Sequence, residues 1–192
     1  MDEDPMTNHK IKAKGPAIGD KQDFILIFDK ATGNARVQYL MVNPETKSSV
    51  FPKKNVVTFS KIQKLVEYRA TVMDNELYIV GGKDWESGQY SSSVLKYNPD
   101  SNTWSTLQRM KTARCRFSID VINSHLYVTG GETVKNKVTS SAECYDPTLD
   151  EWKEFKSLPR PRMDHASCTV NKKLYVSGGR SSRSHQCSDV FW

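Results

Sequence analysis

Residues 126–131 read Leu126-Tyr127-Val128-Thr129-Gly130-Gly131, and nearly the same phrase stands at 77–82 (LYIVGG) and 174–179 (LYVSGG). An apolar run that ends on two glycines is a strand forced to bend where no side chain is tolerated. Glycine has no Cβ, so it reaches backbone angles closed to other residues and lets a neighbouring chain come close. Gly81-Gly82, Gly130-Gly131 and Gly178-Gly179 are therefore expected to be structural, and their first members stand 49 and 48 residues apart. A period of roughly 20 to 50 residues marks solenoids, propellers and similar arrays.

The rest of the unit recurs with the glycines. VLKYNPDSNTW follows the first pair and AECYDPTLDEW the second, so Tyr97 matches Tyr145 and Trp104 matches Trp152, each 48 residues on. Ahead of each glycine pair, two short alternating runs are joined by Asp74-Asn75, Asn123-Ser124 or Asn171-Lys172, residue types suited to tight hairpins. A third run, ending in Tyr97 or Tyr145, enters a proline-led turn, and a fourth carries the tryptophan. This predicts four antiparallel strands per repeat, the plan of a propeller blade. The glycine-ending strand should be buried on both faces between neighbouring blades. Tyr78, Tyr127 and Tyr175, with Trp104 and Trp152, should supply rigid packing surface between them.

The LYxxGG phrase, the Tyr-[Asn/Asp]-Pro turn, the Trp five residues after that proline, and Arg162 three residues before His165 together resemble the kelch repeat over roughly residues 24–192. The fold class this implies is all-β, an incomplete kelch β-propeller of about three and a half four-stranded antiparallel blades. Residues 1–23, which mix Pro, Gly, Lys and Asp without periodicity, read as a disordered leader. A diverged blade is expected over 24–56, where FILIFDK replaces the glycine phrase, Val42-Asn43-Pro44 stands on the turn and Ser49 replaces the tryptophan. Repeats follow at about 66–113, 114–161 and 162–192, the last truncated. In it Val190 stands at the place of Ala142 and Trp192 at that of Cys144. Closure takes about four to eight blades, so the chain is expected to be part of a longer protein or half of an assembly.

Composition narrows the classes. The formal net charge is +6, from 28 Lys+Arg against 22 Asp+Glu, which is mildly basic and without a dense nucleic-acid-binding tract. No apolar stretch approaches the roughly 20 residues of a membrane span, and the N-terminus lacks a secretory pattern. The expected setting is cytoplasmic, with Cys115, Cys144, Cys168 and Cys187 reduced and no C-x-x-C among them.

Catalytic and metal chemistry find little purchase. Gly81-Gly82-Lys83 lacks the remainder of a phosphate-binding loop. His165 and Cys168 form H-x-x-C without a second pair. Asp164-His165 would be two members of a triad with no nucleophile elbow. Tyr68, Phe117 and His165 occupy one repeat position, at which the kelch resemblance implies a structural histidine. Cys187 lies beside Arg183 and His185; a reactive sensor and an ordinary exposed thiol both stay open. No enzyme activity, cofactor or metal is expected.

The loops carry the functional reading. Those between blades hold Arg109, Lys111, Arg114, Arg116, Lys156, Arg160 and Arg162, and those after the glycines add Arg180 and Arg183. Converging, they would favour an acidic protein segment, with Trp85 and Tyr90 as aromatic anchors. Arg114 and Arg162 recur with the repeat, so they are expected to be structural; Arg109, Arg160, Arg180 and Arg183 do not, and are the candidates for recognition. The kelch resemblance extends to BTB-BACK-kelch proteins, in which the BTB and BACK domains bind a cullin scaffold and the propeller captures the substrate for ubiquitination. It implies a protein–protein interaction module, the substrate-recognition part of a cullin-RING ubiquitin ligase adaptor. Cullin would be engaged only indirectly, because these 192 residues carry no BTB segment. Resemblance also leaves an actin-binding kelch module and a catalytic propeller of the galactose oxidase type as alternatives. Neither nucleic acid nor membrane is an expected partner.

Overall fold

The computed structural model describes residues 23–29, 36–42, 56–58, 62, 64–98, 101 and 103–191. The expected leader up to residue 22, together with Asn43, Pro44, Ser49, Pro99 and Trp192, lies outside them. The chain divides into two compact units between residues 63 and 64. In the first, β1 (Asp23–Asp29), β2 (Arg36–Val42) and β3 (Val56–Thr58) form an antiparallel sheet in that order.

The second unit opens with β4 (Leu65–Val66), followed by β5 (Arg69–Met73), β6 (Glu76–Val80), β7 (Lys83–Asp84), β8 (Val94–Asn98) and β9 (Thr103–Leu107). The next repeat gives β10 (Ser118–Ile122), β11 (His125–Thr129), β12 (Glu132–Thr133), β13 (Lys137–Val138), β14 (Ala142–Asp146) and β15 (Glu151–Phe155). The last gives β16 (Ala166–Val170), β17 (Lys173–Ser177) and β18 (Val190–Phe191). Two four-stranded antiparallel sheets, β5-β6-β8-β9 and β10-β11-β14-β15, are followed by the three-stranded β16-β17-β18. No α-helix occurs among the described residues, so the fold is all-β, with blades of a partial kelch propeller.

Local chemistry sets these elements. The hairpin pairs Asp74-Asn75, Asn123-Ser124 and Asn171-Lys172 all have positive φ, between 50° and 61°, as a two-residue turn matching strand twist requires. Register repeats as well: Tyr97 faces Trp104 and Tyr145 faces Trp152 across the third and fourth strands, with ring centroids 5.0 and 5.1 Å apart and the same 37° tilt. Val190 pairs with Ser177 as Ala142 pairs with Thr129.

The sheets stack side by side along their first strands, β10 lying against β5 on one side and β16 on the other. Between the two four-stranded sheets, Tyr78, Val80, Phe117, Leu126, Val128, Tyr145 and Trp152 form one apolar core, each large side chain contributing about 1.5–3 kcal/mol by leaving water. Leu77, Tyr78, Ile79 and Val80 are all buried, as a strand covered on both faces should be. β17 carries the same phrase yet exposes Lys173 and Ser177 and half-exposes Leu174 and Tyr175. The uniform burial expected of all three phrases is already incomplete at the half-buried Tyr127 of β11, and it fails in β17, where among the described residues no sheet covers the far side.

The glycines hold the seams. A Cβ on Gly130 would stand 2.5 Å from the Arg162 carbonyl oxygen, and one on Gly81 2.7 Å from that of Arg114. These two first glycines thus touch the following blade. The second glycines are pressed instead against the segment that enters their own blade. A Cβ on Gly82, Gly131 or Gly179 would stand 2.9, 2.6 or 2.6 Å from the carbonyl oxygen of Val66, Cys115 or Met163. In the third pair the two roles separate. Gly179 keeps its close approach, but Gly178 has nothing nearer than 3.7 Å, and both are half-buried where the other four glycines are buried. Of this third pair only Gly179 makes a close seam contact, for the same want of a covering sheet. Backbone bonds cross the seams as well: the Arg116 N–H donates to the Glu67 carbonyl at 3.2 Å and the Asp164 N–H to the Arg116 carbonyl at 2.9 Å.

Candidate interaction surface

In each antiparallel sheet the loop from second to third strand leaves at the same end as the loop from the fourth strand to the next sheet. Hydrogen bonds tie the two sets together: Met110 N–H to the Ser92 carbonyl at 3.0 Å, Leu158 N–H to Ser140 at 2.8 Å, and Arg162 N–H to Thr139 at 3.2 Å. The basic loop residues therefore gather at one end of the blades.

Arg114 and Arg162 are consumed in building that end. Arg114 is fully buried, and its Nη2 donates to Glu143 Oε1 at 2.7 Å while Nη1 donates to the Gly130 and Ser141 carbonyls at 2.8 and 2.9 Å. Glu143 also accepts the backbone N–H groups of Lys111 and Thr112. Forty-eight residues on, Arg162 Nη1 donates to the Gly178 carbonyl at 2.7 Å and Nη2 to Asp189 at 2.9 Å. The guanidinium beside Asp189 holds that carboxyl below its usual range. Each arginine clamps its repeat's glycine turn to the following third strand.

The non-recurring arginines are different. Arg109, Arg160, Arg180 and Arg183 are exposed. None of the ion pairs among the described residues includes them, nor the equally exposed Lys135, Lys137 and Lys156. Arg160 and Arg180 belong to one mouth: Arg180 exchanges 2.8 Å backbone bonds with Met163, and the Arg160 charge bears on Asp189. Arg109 stands apart, in an open groove of about 410 Å3 with Gln108 and Lys111 facing Leu149, Asp150, Glu151 and Trp152. Its walls are tied by Trp152 Nε1 donating to the Gln108 carbonyl at 2.9 Å and Gln108 N–H to Asp150 at 3.0 Å.

The two aromatic candidates diverge. Trp85, 59% exposed, rides a turn made rigid by Asp84 Oδ1, which accepts the N–H groups of Glu86 and Ser87. Tyr90 is half-buried and engaged: its hydroxyl donates to Glu132 Oε1 at 2.6 Å and Lys83 lies 4.8 Å from its ring centre. It acts as a seam contact between two blades rather than a free anchor. Glu132 is one of several carboxylates that the loop reading leaves out; another is Asp164, which forks onto Arg116.

His165 is buried between Ser118 Oγ at 3.0 Å and Thr129 Oγ1 at 3.2 Å. Burial, aided by the Arg162 charge, pushes its pKa down to about 4, so the imidazole is neutral there. All four cysteines are unpaired thiols. Among the described residues no three His, Cys, Asp or Glu side chains gather as metal ligands, and no helix is long and apolar enough to cross a membrane.

Comparison with known proteins agrees with this geometry. The family model of the KLHDC2/KLHL20/DRC7 Kelch-repeats domain matches residues 67–192. Kelch repeat and BTB domain-containing protein 12 of Homo sapiens is 35% identical over 102 residues, covering 49% of this chain and 16% of that protein. Kelch-like protein 26 of Danio rerio is 38% identical over 64 residues, 32% of this chain and 11% of that protein. Kelch-like protein 42 of Homo sapiens is 38% identical over 63 residues, 33% of this chain and 12% of that protein. The matched stretches thus span less than a fifth of these relatives.

Proposed function

This chain belongs to the kelch-repeat family, and from that premise we propose that it is a protein-interaction module whose loop end receives an acidic segment of a partner. Within the whole protein it would serve as the substrate-recognition part of a cullin-RING ubiquitin ligase adaptor. One observation carries the reading: at the loop end Arg160, Arg180, Arg183, Lys135, Lys137 and Lys156 are exposed and stand outside every ion pair among the described residues, as do Arg109 and Lys111 in the groove. Exposed guanidinium groups without an internal carboxylate suit an incoming one, bound through two parallel N–H···O contacts. Trp85, on a loop of the same end, adds an exposed rigid apolar surface.

The test is fluorescence anisotropy with a labelled hexaglutamate peptide. Reversing Arg160, Arg180 and Arg183 together to Glu should weaken binding at least about tenfold in low salt, since each exposed pair contributes roughly 0.2–1 kcal/mol and each reversal adds repulsion. Lys172→Glu, at the other end, should leave it unchanged. Equal loss from both would refute a localised surface. The adaptor role is tested separately, by recovery of cullin and RING subunits with the full gene product.

A further inference from the structure

Not every arginine of the loop end is available to such a partner. Arg116 and Asp164 occupy the same position of successive repeats, 48 residues apart, immediately before Phe117 and His165. Both have positive φ, 56° and 53°, and the N–H of one donates to the carbonyl of the other. The fold therefore sets the two side chains against each other across the seam. Arg116 Nε donates to Asp164 Oδ1 at 3.0 Å and Nη2 to Oδ2, a fork-to-fork pair, while Nη1 lies 3.7 Å from Glu132 Oε2. Glu132 is held in place by the Tyr90 hydroxyl. The pair is not sealed from solvent: Arg116 retains 24% of its side-chain exposure and Asp164 36%.

We infer that Asp164 is a built-in competitor for acidic ligands: it occupies Arg116 in the two-pronged geometry an incoming carboxylate would use, and so confines acidic partners to the outer, unpaired arginines. The inference rests on the acidic-partner reading above. It adds a specificity-determining residue to that reading. A carboxylate from outside gains at Arg116 only what it exceeds Asp164 by, and Asp164 has the advantage of being already positioned by the backbone bond to Arg116. With Asp164 neutralised, the same guanidinium keeps its N–H groups and has only the more distant Glu132 and Glu67 carboxylates acting on it.

The experiment uses the whole chain, the labelled hexaglutamate peptide and three variants: Asp164→Asn, Arg116→Gln and the double variant. Asp164→Asn should tighten binding about tenfold, the increment of one charge-assisted bidentate contact discounted for exposure. Arg116→Gln alone should leave affinity within twofold of the native chain, and the double variant should lose the gain. Thermal unfolding of each variant separates loss of fold from loss of contact, and Asp164→Glu, which restores the carboxylate, should return native affinity. Unchanged binding by Asp164→Asn while the native chain binds overturns the inference and spares the acidic-partner reading. A loss in Arg116→Gln as large as that from the outer arginines also overturns it, because Arg116 would then already be engaged. Binding by Asp164→Asn alone supports the inference and sinks the reading that the outer arginines suffice. No binding by any chain overturns both.

Discussion

Gly130 and Gly178 offer a matched pair for testing whether the blades are held by a close seam. Their backbones are alike, with φ of +63° and +66°, and the carbonyl of each accepts a bond from the repeat's buried arginine, at 2.8 and 2.7 Å. Replacing either with alanine places a Cβ in the left-handed region, which costs roughly 1–2 kcal/mol at both sites. Space separates them. At Gly130 the new Cβ would meet the Arg162 oxygen at 2.5 Å and His165 Cε1 at 2.9 Å, whereas at Gly178 the nearest atom is the Cys187 oxygen at 3.7 Å, an ordinary contact. The Arg162 oxygen cannot retreat freely, because it accepts the Gly131 N–H at 2.8 Å. Relieving the clash should add roughly 1–3 kcal/mol, the usual cost of overpacking a tight site. Gly178→Ala is thus expected to destabilise by about 1–2 kcal/mol and Gly130→Ala by about 2–5 kcal/mol. Urea unfolding followed by tryptophan fluorescence measures both, with equal slopes required for the comparison. Equal destabilisation by the two substitutions would refute the seam, leaving backbone strain as the whole effect.

Glu143→Leu should cost about 3–5 kcal/mol, because it strands the buried Arg114 guanidinium and two backbone N–H groups, while Glu143→Leu with Arg114→Met should recover part of that loss; a chemical-denaturation cycle over the four chains reads the difference. His165 gives a pH dependence of determined sign. Its folded pKa of about 4 lies below the ordinary 6.5, so the unfolded chain takes up the proton first and stability falls as pH drops from about 6.5 to about 4, then falls no further on this account. The loss is on the order of 3 kcal/mol. His165→Phe, which installs the residue that Phe117 supplies in the preceding repeat, should flatten this part of the curve; an unchanged slope would show that other groups produce it.

What the sequence made legible is what repeats. A hairpin with both turn residues at positive φ needs Asn, Asp or a similarly tolerant residue, and it announces itself at Asp74-Asn75 and Asn123-Ser124. Seam glycines announce themselves by recurring, since a position with no room for Cβ keeps that residue at each period. Recurrence does not tell which copy still has its neighbour: Gly179 meets the Met163 oxygen as Gly131 meets that of Cys115, while Gly178 meets nothing so close. The spacing of Arg114 and Arg162 likewise gives away a structural role. Partners that lie far along the chain leave no such mark. Tyr90 reads as a free aromatic because Glu132, which binds its hydroxyl, is 42 residues away. Glu143 leaves a fainter sign: it stands in a buried strand where the preceding repeat has Leu95, and a lone carboxylate in that register demands a buried cation.

Positions that are geometrically equivalent yet chemically different carry the remaining information. Glu67, Arg116 and Asp164 share one site in three successive blades, all with positive φ and joined by backbone bonds from each to the next. Since the backbone there is fixed by the repeat, the fold does not dictate the side chain's charge, and the run of minus, plus, minus is a choice of chemistry laid over that backbone. A scaffold that repeats its geometry presents, at each such position, an independent choice of chemistry at a defined place. Discrimination between partners can therefore be set by single residues like Asp164, while the glycines, buried arginines and paired aromatic rings keep the blades in register.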